Sequence, residues 1–168
     1  MEKLKFIQIE QGNPKHYEMA KKLWLPFSME IDEHEGISET EEEILHDLSR
    51  RINIQGSREN MHFELALSNN KPIGIAMFAI DTGTVYGLLE SGYGVITGFY
   101  ISPAYRRMGY GKEFFGHIEQ SLKADGAPKI YLTPDGVTGK PFWNSLGFKN
   151  SGKFDPDDKK YIYIKDIS

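Results

Sequence analysis

The chain has 168 residues, a formal net charge of −4 and no cysteine. That length suits one domain spanning residues 1–168 with a core of its own, the acidic balance offers no global field for nucleic acid, and the missing thiols exclude disulfides, thiolate metal sites and a cysteine nucleophile. The longest apolar run, Ile73–Ile80, is far short of the roughly 20 residues a membrane-spanning helix needs, and the opening MEKLKFIQIE lacks the apolar core of a signal peptide, so a cytoplasmic protein without a membrane partner is expected.

Alternation over Leu4–Ile9 predicts a first strand. Asn13-Pro14 supplies an N-cap and a proline at the first helical position, and Tyr17, Ala20, Leu23 and Trp24 recur at helical spacing until Pro26, where the helix is expected to stop. Phe27–Ile37 then reads as a loop carrying Glu30, Asp32, Glu33, His34 and Glu35. Ser38-Glu39-Thr40-Glu41 has the form of a capping box, with Ile44, Leu45, Leu48 and Ile52 as the apolar stripe of a second helix. Gln55–Asn60 is polar and turn-like. Phe63, Leu65 and Leu67 alternate as a strand, Ser68–Pro72 turns, and Ile73–Ile80 forms a more buried strand, together a hairpin. Asp81–Gly94, rich in glycine and tyrosine, has no clear period.

Val95–Lys112, VITGFYISPAYRRMGYGK, is the stretch around which the rest is organised. It reads as an apolar strand, a Ser-Pro turn, a basic glycine-containing loop and the first turn of a helix. The first N–H groups of a helix have no partner within it, and its dipole adds partial positive charge there, so strand–loop–helix is an anion site in outline. Arg106, Arg107 and Lys112 add full charges. Downstream, Phe114, Phe115, Ile118 and Leu122 make an amphipathic helix, Lys129–Thr133 a strand, Thr138–Leu146 a short helix closed by Gly147, and Phe148–Phe154 with Lys160–Lys165 a final hairpin. The order predicted is strand, two helices, three strands, helix, strand, helix, two strands: a mixed α/β sheet domain.

Two phosphate motifs fail. The dinucleotide fingerprint G-x-G-x-x-G needs a third glycine where Phe114 stands, and Gly136-Val137-Thr138-Gly139-Lys140-Pro141 is too short for a Walker loop and ends in proline. What fits is R-x-x-G-x-G, as Arg106, Gly109 and Gly111. It follows Phe99-Tyr100-Ile101-Ser102-Pro103 and precedes, after a helix and a strand, Phe142-Trp143-Asn144-Ser145-Leu146-Gly147-Phe148. This ordered set, with the hairpin joined by Asn69-Asn70-Lys71-Pro72-Ile73-Gly74, resembles the GNAT superfamily of N-acetyltransferases, most strongly over Val95–Phe148.

The resemblance implies a mixed, mostly antiparallel sheet of about six to seven strands flanked by about four helices, splayed at the strands before and after the glycine-loop helix. It implies acetyl-CoA as co-substrate; no metal is expected, because no H-E-x-x-H or comparable spacing surrounds His34. Backbone N–H groups of Arg107, Met108, Gly109, Tyr110, Gly111 and Lys112 would hold the pyrophosphate, with Arg106 or Arg107 adding charge. Tyr100 and Ile101 would offer backbone groups to the pantetheine arm and thioester, the Ile101 N–H donating to the thioester oxygen, and Phe142 and Trp143 would line the cofactor. The family's usual general acid is a tyrosine where this chain has Trp143, and indole has no proton to release near neutral pH; Tyr131 and Ser145 are the nearby substitutes, each read first as structural. Val95–Ile101 contains no acid, which leaves Glu90 as the nearest upstream base. The implied reaction is direct attack on acetyl-CoA, in a ternary complex, by a primary amine of a small molecule, peptide or protein. The acidic residues Glu30–Glu35 lie where the family forms part of its acceptor pocket. The alternative is an acyl-CoA-binding regulatory module with little activity, and the final hairpin is able to pair across a homodimer.

Overall fold

The computed structural model describes residues 3–55, 60–83, 89–134 and 139–167. Among them the elements run β1 (Lys5–Gln8), α1 (Pro14–Glu35), α2 (Glu41–Gln55), β2 (Met61–Ser68), β3 (Lys71–Ile80), β4 (Gly94–Ile101), a single 3-10 turn (Pro103–Tyr105), α3 (Tyr110–Ala124), β5 (Lys129–Leu132), α4 (Gly139–Ser145), β6 (Lys149–Asp155) and β7 (Lys160–Asp166). The strands make one open, seven-stranded sheet in the order β1-β2-β3-β4-β5-β7-β6. The β1–β2, β5–β7 and β6–β7 ladders are antiparallel. β4 and β5 pair in parallel through Gly94↔Ile130 and Val95↔Tyr131, at the start of β4. This is the expected mixed sheet with its expected order of elements. No helix among the described residues is long and apolar enough to cross a membrane.

Contacts divide the chain into two compact units, Met1–Met77 with Gly98–Phe114, and Phe78–Thr97 with Phe115–Ser168. In the first, Asn13 caps α1 as its sequence predicts, its Oδ1 accepting from the His16 N–H at 3.1 Å, with Pro14 in the first turn. Pro26 does not stop the helix. α1 continues to Glu35 and ends at Gly36, whose φ of 70° is the left-handed conformation that glycine adopts freely. A proline inside a helix costs about 3 kcal/mol, through a lost hydrogen bond and a clash with the carbonyl four residues back. Here Pro26 and Lys22 are both exposed, so the freed carbonyl is on the wet side. Against that cost stand Trp24, which is buried and edge-on to Phe27 and Phe63 at 5.3 Å, and Phe27, which meets Tyr100 at 5.2 Å. The expected Phe27–Ile37 loop is therefore helix up to Glu35.

The cap of α2 is displaced as well. The reciprocal bonds are Glu43 N–H to Thr40 Oγ1 at 3.1 Å and Thr40 N–H to Glu43 Oε1 at 3.2 Å, so the box is Thr40 with Glu43 and not Ser38 with Glu41. Glu39 is engaged elsewhere: its N–H donates to the Asp32 carboxylate at 3.3 Å. Ile44, Leu48 and Ile52 are buried as the stripe predicts. Arg51 lies over the Trp24 ring at 5.1 Å and bonds Asp47 at 2.9 Å. Burial would raise the Asp47 carboxyl, but the Arg51 charge and hydrogen bonds from Arg50 and Arg51 outweigh it and hold the group below the usual carboxylate range. The two-residue turn Asn69-Asn70, with φ of 51° and 61°, joins β2 to β3, the left-handed pair that a tight hairpin requires.

In the second unit, Phe115, Trp143 and Phe148 pack edge-on with centroids 5.3 to 5.8 Å apart. Asp81 is fully buried, accepting from the Tyr131 hydroxyl at 2.7 Å and the Gly83 N–H at 2.8 Å. Most of the turn expected over Gln55–Asn60, and the first residue of the helix expected over Thr138–Leu146, lie outside the described residues.

Candidate functional site

The last four residues of β4 alternate across the sheet. Gly98 lies against α1, where an added Cβ would meet Trp24 at 3.4 Å and Phe27 at 3.6 Å. Tyr100 turns the same way, onto Phe27, whereas Phe99 turns to Phe114 of α3 at 5.5 Å. Period-two packing therefore fixes both faces of the strand where it reaches Ile101. From β3, Gly74 makes room for that end: a Cβ there would fall 2.9 Å from Ile101 Cδ1 and 3.1 Å from the Tyr100 carbonyl. Nothing in the sequence reading singled Gly74 out for this. The signal available was a glycine inside a strand, which marks a bulge or the close approach of another chain segment.

After Ile101 the chain tightens. Ser102 N–H donates to the Ile73 carbonyl at 2.8 Å, and Tyr105 N–H returns to the Ser102 carbonyl at 2.9 Å. Arg107 and Gly109 then adopt positive φ, 62° and 88°, and α3 begins at Tyr110 with the Glu113 N–H on the Gly109 carbonyl at 3.1 Å. Left-handed residues set between extended or right-handed ones turn successive N–H groups toward a common concavity. Among the described residues, the N–H groups from Arg107 to Lys112 have no backbone acceptor. Tyr105 and Tyr110 meet edge-on at 6.1 Å and brace the two ends of the loop. Arg107, Met108, Gly109 and Lys112 are exposed, Gly111 is half-buried and Tyr110 is buried. Neither Arg107 nor Lys112 makes an ion pair among the described residues. The one acid of the first helical turn, Glu113, is turned to other use, accepting the Leu4 N–H at 2.7 Å.

Arg106 differs from Arg107. Its Nε donates to the Ile101 carbonyl at 2.8 Å, and its two terminal nitrogens bond both oxygens of Glu30, at 3.2 and 2.8 Å. Its guanidinium also lies 5.3 Å from the centroid of the Tyr100 ring. Burial pushes the Tyr100 phenol up; the Arg106 charge opposes that shift and Glu30 adds to it. Glu30 therefore belongs to an ion pair with a residue 76 positions away, which no local pattern discloses. Asp32 is buried beneath Glu39, so two of the acids expected to face an acceptor are already engaged.

The other predicted residues lie in the second unit. Phe142 and Trp143 are on α4, their rings 4.8 Å apart, and Trp143 is buried with Phe115 and Phe148. Ser145 Oγ donates to the Phe142 carbonyl at 2.5 Å, and the Tyr131 hydroxyl is held by Asp81, so both substitute acids have structural partners. Glu90 is exposed and precedes β4, at the opposite end of that strand from Ile101. The neighbouring Glu90 carboxylate, through hydrogen bonding first and then, after desolvation, through its charge, raises the Tyr93 phenol.

The loop therefore has open amides, two uncommitted cations and a braced helix N-terminus, which fit a pyrophosphate. The model of the acetyltransferase (GNAT) family matches residues 17–148. The chain belongs to that family. It is an acetyltransferase with the fold of many solved ones. No curated protein sequence matches it. Among solved structures, this acetyltransferase is similar to the PaiA N-acetyltransferase of Thermoplasma acidophilum in complex with coenzyme A, at 17% identity and a TM-score of 0.71 over 98% of this chain and 99% of that one. An acetyltransferase of Thermus thermophilus superposes with a TM-score of 0.74 at 15% identity, covering 98% and 97% of the two chains. One from Streptococcus agalactiae gives 0.67 at 19% identity over 99% of both. At these identities the likeness is one of fold. The family assignment rests on the match over residues 17–148.

Proposed function

We propose that this acetyltransferase moves the acetyl group of acetyl-CoA to a primary amine of a small molecule, peptide or protein by direct attack in a ternary complex. The observation that carries the reading is the run of N–H groups from Arg107 to Lys112, without a backbone acceptor among the described residues, leading into α3 one short turn after the strand end at Ile101. Those amides, with Arg107 and Lys112, hold the pyrophosphate, and Tyr100 and Ile101 present backbone groups to the pantetheine arm. Acetyl-CoA supplies an acyl carbon activated as a thioester. The Ile101 N–H donates to its oxygen, where negative charge grows during attack. The amine nitrogen bonds that carbon, the C–S bond breaks with its electrons leaving on sulfur, and the amine proton passes to water. With no cysteine in the chain, no cysteinyl acyl-enzyme intervenes. Positioning and carbonyl polarisation are the protein's main contributions.

Trp143 at the position of the usual acid is consistent with this division of labour. A thiol of pKa about 8.5 departs tolerably as thiolate near neutral pH, whereas a positioned acid typically contributes about 10²–10⁴-fold. The same residue favours a second reading, an acyl-CoA-binding module with little turnover. Calorimetric titration with acetyl-CoA and thiol release over a panel of amines test both. Binding with amine-dependent thiol release is expected. Binding without acceptor-dependent release selects the module, and absence of binding at millimolar ligand overturns both.

A further inference from the structure

We infer that Arg106 is a positioning residue clamped by Glu30, not a ligand of the pyrophosphate. Three contacts already commit it within the protein. Nε holds the Ile101 carbonyl at 2.8 Å, both terminal nitrogens take the Glu30 carboxylate in a fork at 2.8 and 3.2 Å, and the cation lies over Tyr100 at 5.3 Å. A bidentate guanidinium–carboxylate pair fixes direction as well as charge. The effect is to tie three points together: Glu30, one turn beyond Pro26 on α1; the carbonyl of the last β4 residue; and the first residue of the glycine loop. The Ile101 peptide and the turn that aims the amides after Arg106 are thus held by a helix far away in sequence. Arg107, whose backbone is left-handed and whose side chain is uncommitted, is left as the loop's arginine for phosphate.

The ligand arm of the test rests on the coenzyme A reading above; the second arm does not. Glu30→Gln, Arg106→Lys and Arg106→Ala are titrated with coenzyme A. A clamp requires the fork and the Nε bond, which lysine cannot supply, so all three variants weaken binding, each by about five- to tenfold. The double variant Glu30→Gln/Arg106→Ala is then no weaker than Arg106→Ala alone. A phosphate ligand behaves oppositely: Glu30→Gln, which frees the cation, leaves affinity unchanged or tightens it, and Arg106→Lys stays near the unaltered protein. That pattern overturns the proposal. In the second arm, amide hydrogen exchange without ligand is expected to accelerate at Ser102, Tyr105 and Arg106, whose N–H groups have backbone acceptors, in Glu30→Gln and Arg106→Lys. Unchanged exchange there overturns the clamp, even if the unaltered protein binds no coenzyme A and the acetyltransferase reading fails with it.

Discussion

Tyr131 and Asp81, 50 positions apart, are joined by a 2.7 Å hydrogen bond from the phenol to Oδ2, and both side chains are fully buried. A buried carboxylate that loses a donor bears its desolvation cost uncompensated. Tyr131→Phe is expected to lower unfolding free energy by about 1–3 kcal/mol in urea titration while kcat stays within twofold. A loss of kcat without a loss of stability would give the phenol a chemical role.

Arg107 holds a left-handed backbone at φ 62° beside Gly109 at 88°. A non-glycine residue there costs roughly 1–2 kcal/mol. Arg107→Ala and Arg107→Gly both remove the charge and should weaken coenzyme A binding alike, with a shallower salt dependence. The glycine variant should be the more stable by about 1 kcal/mol. Gly109→Val strains the backbone and obstructs the cradle, and calorimetry should detect no coenzyme A binding.

From β3, Gly74 reaches the same strand end. A Cβ at 2.9 Å from Ile101 Cδ1 and 3.1 Å from the Tyr100 carbonyl must push one of them aside. Overpacking of this kind costs about 1–3 kcal/mol. Gly74→Ala should lower thermal stability and also raise the KM for acetyl-CoA, by displacing the Tyr100–Ile101 strand end. A drop in stability with unchanged KM would mean that the movement is absorbed by the Ile101 side chain.

The parts legible in the sequence are those written in local chemistry. Asn13-Pro14 announced its helix, Asn69-Asn70 its hairpin, and the Arg106–Lys112 pattern its loop and helix start, though not the left-handed backbone at Arg107. Pro26 misled because its local penalty is real, while the burial of Trp24 against Phe63 and Gly98 depends on strands more than 30 residues downstream. Ser38–Glu41 misled because two overlapping patterns both read as caps, and the choice between them is made by Asp32, which occupies Glu39. Arg106 read as one more charge for the phosphate, and nothing local disclosed its partner: Glu30 is 76 residues away.

Glu39 gives a pH prediction. Its carboxyl is raised by desolvation, then by the hydrogen bond and charge of Asp32, with Asp47 and Glu43 adding to the shift. A group raised in the folded state binds more protons there than when unfolded, so stability falls as pH rises from its ordinary value through its raised one, and stays lower above. Glu39→Gln removes that loss. It should stabilise the protein at neutral pH by at most about 0.5 kcal/mol, because the side chain is largely in water, and by nothing near pH 3. Paired urea titrations at the two pH values check this, and an equal gain at both would point to packing instead.

The bond from the Leu4 N–H to Glu113 spans 109 positions. During synthesis, the residue that completes the first turn of α3 emerges only after some two-thirds of the chain, and until then the amino-terminal strand has no partner at that point. Closing so long a loop is entropically slow, so contacts of this separation tend to form late in folding. A nascent chain therefore completes the glycine loop and the start of α3 near the end of its folding path. Refolding followed by coenzyme A capture should lag behind the far-ultraviolet signal of the helices.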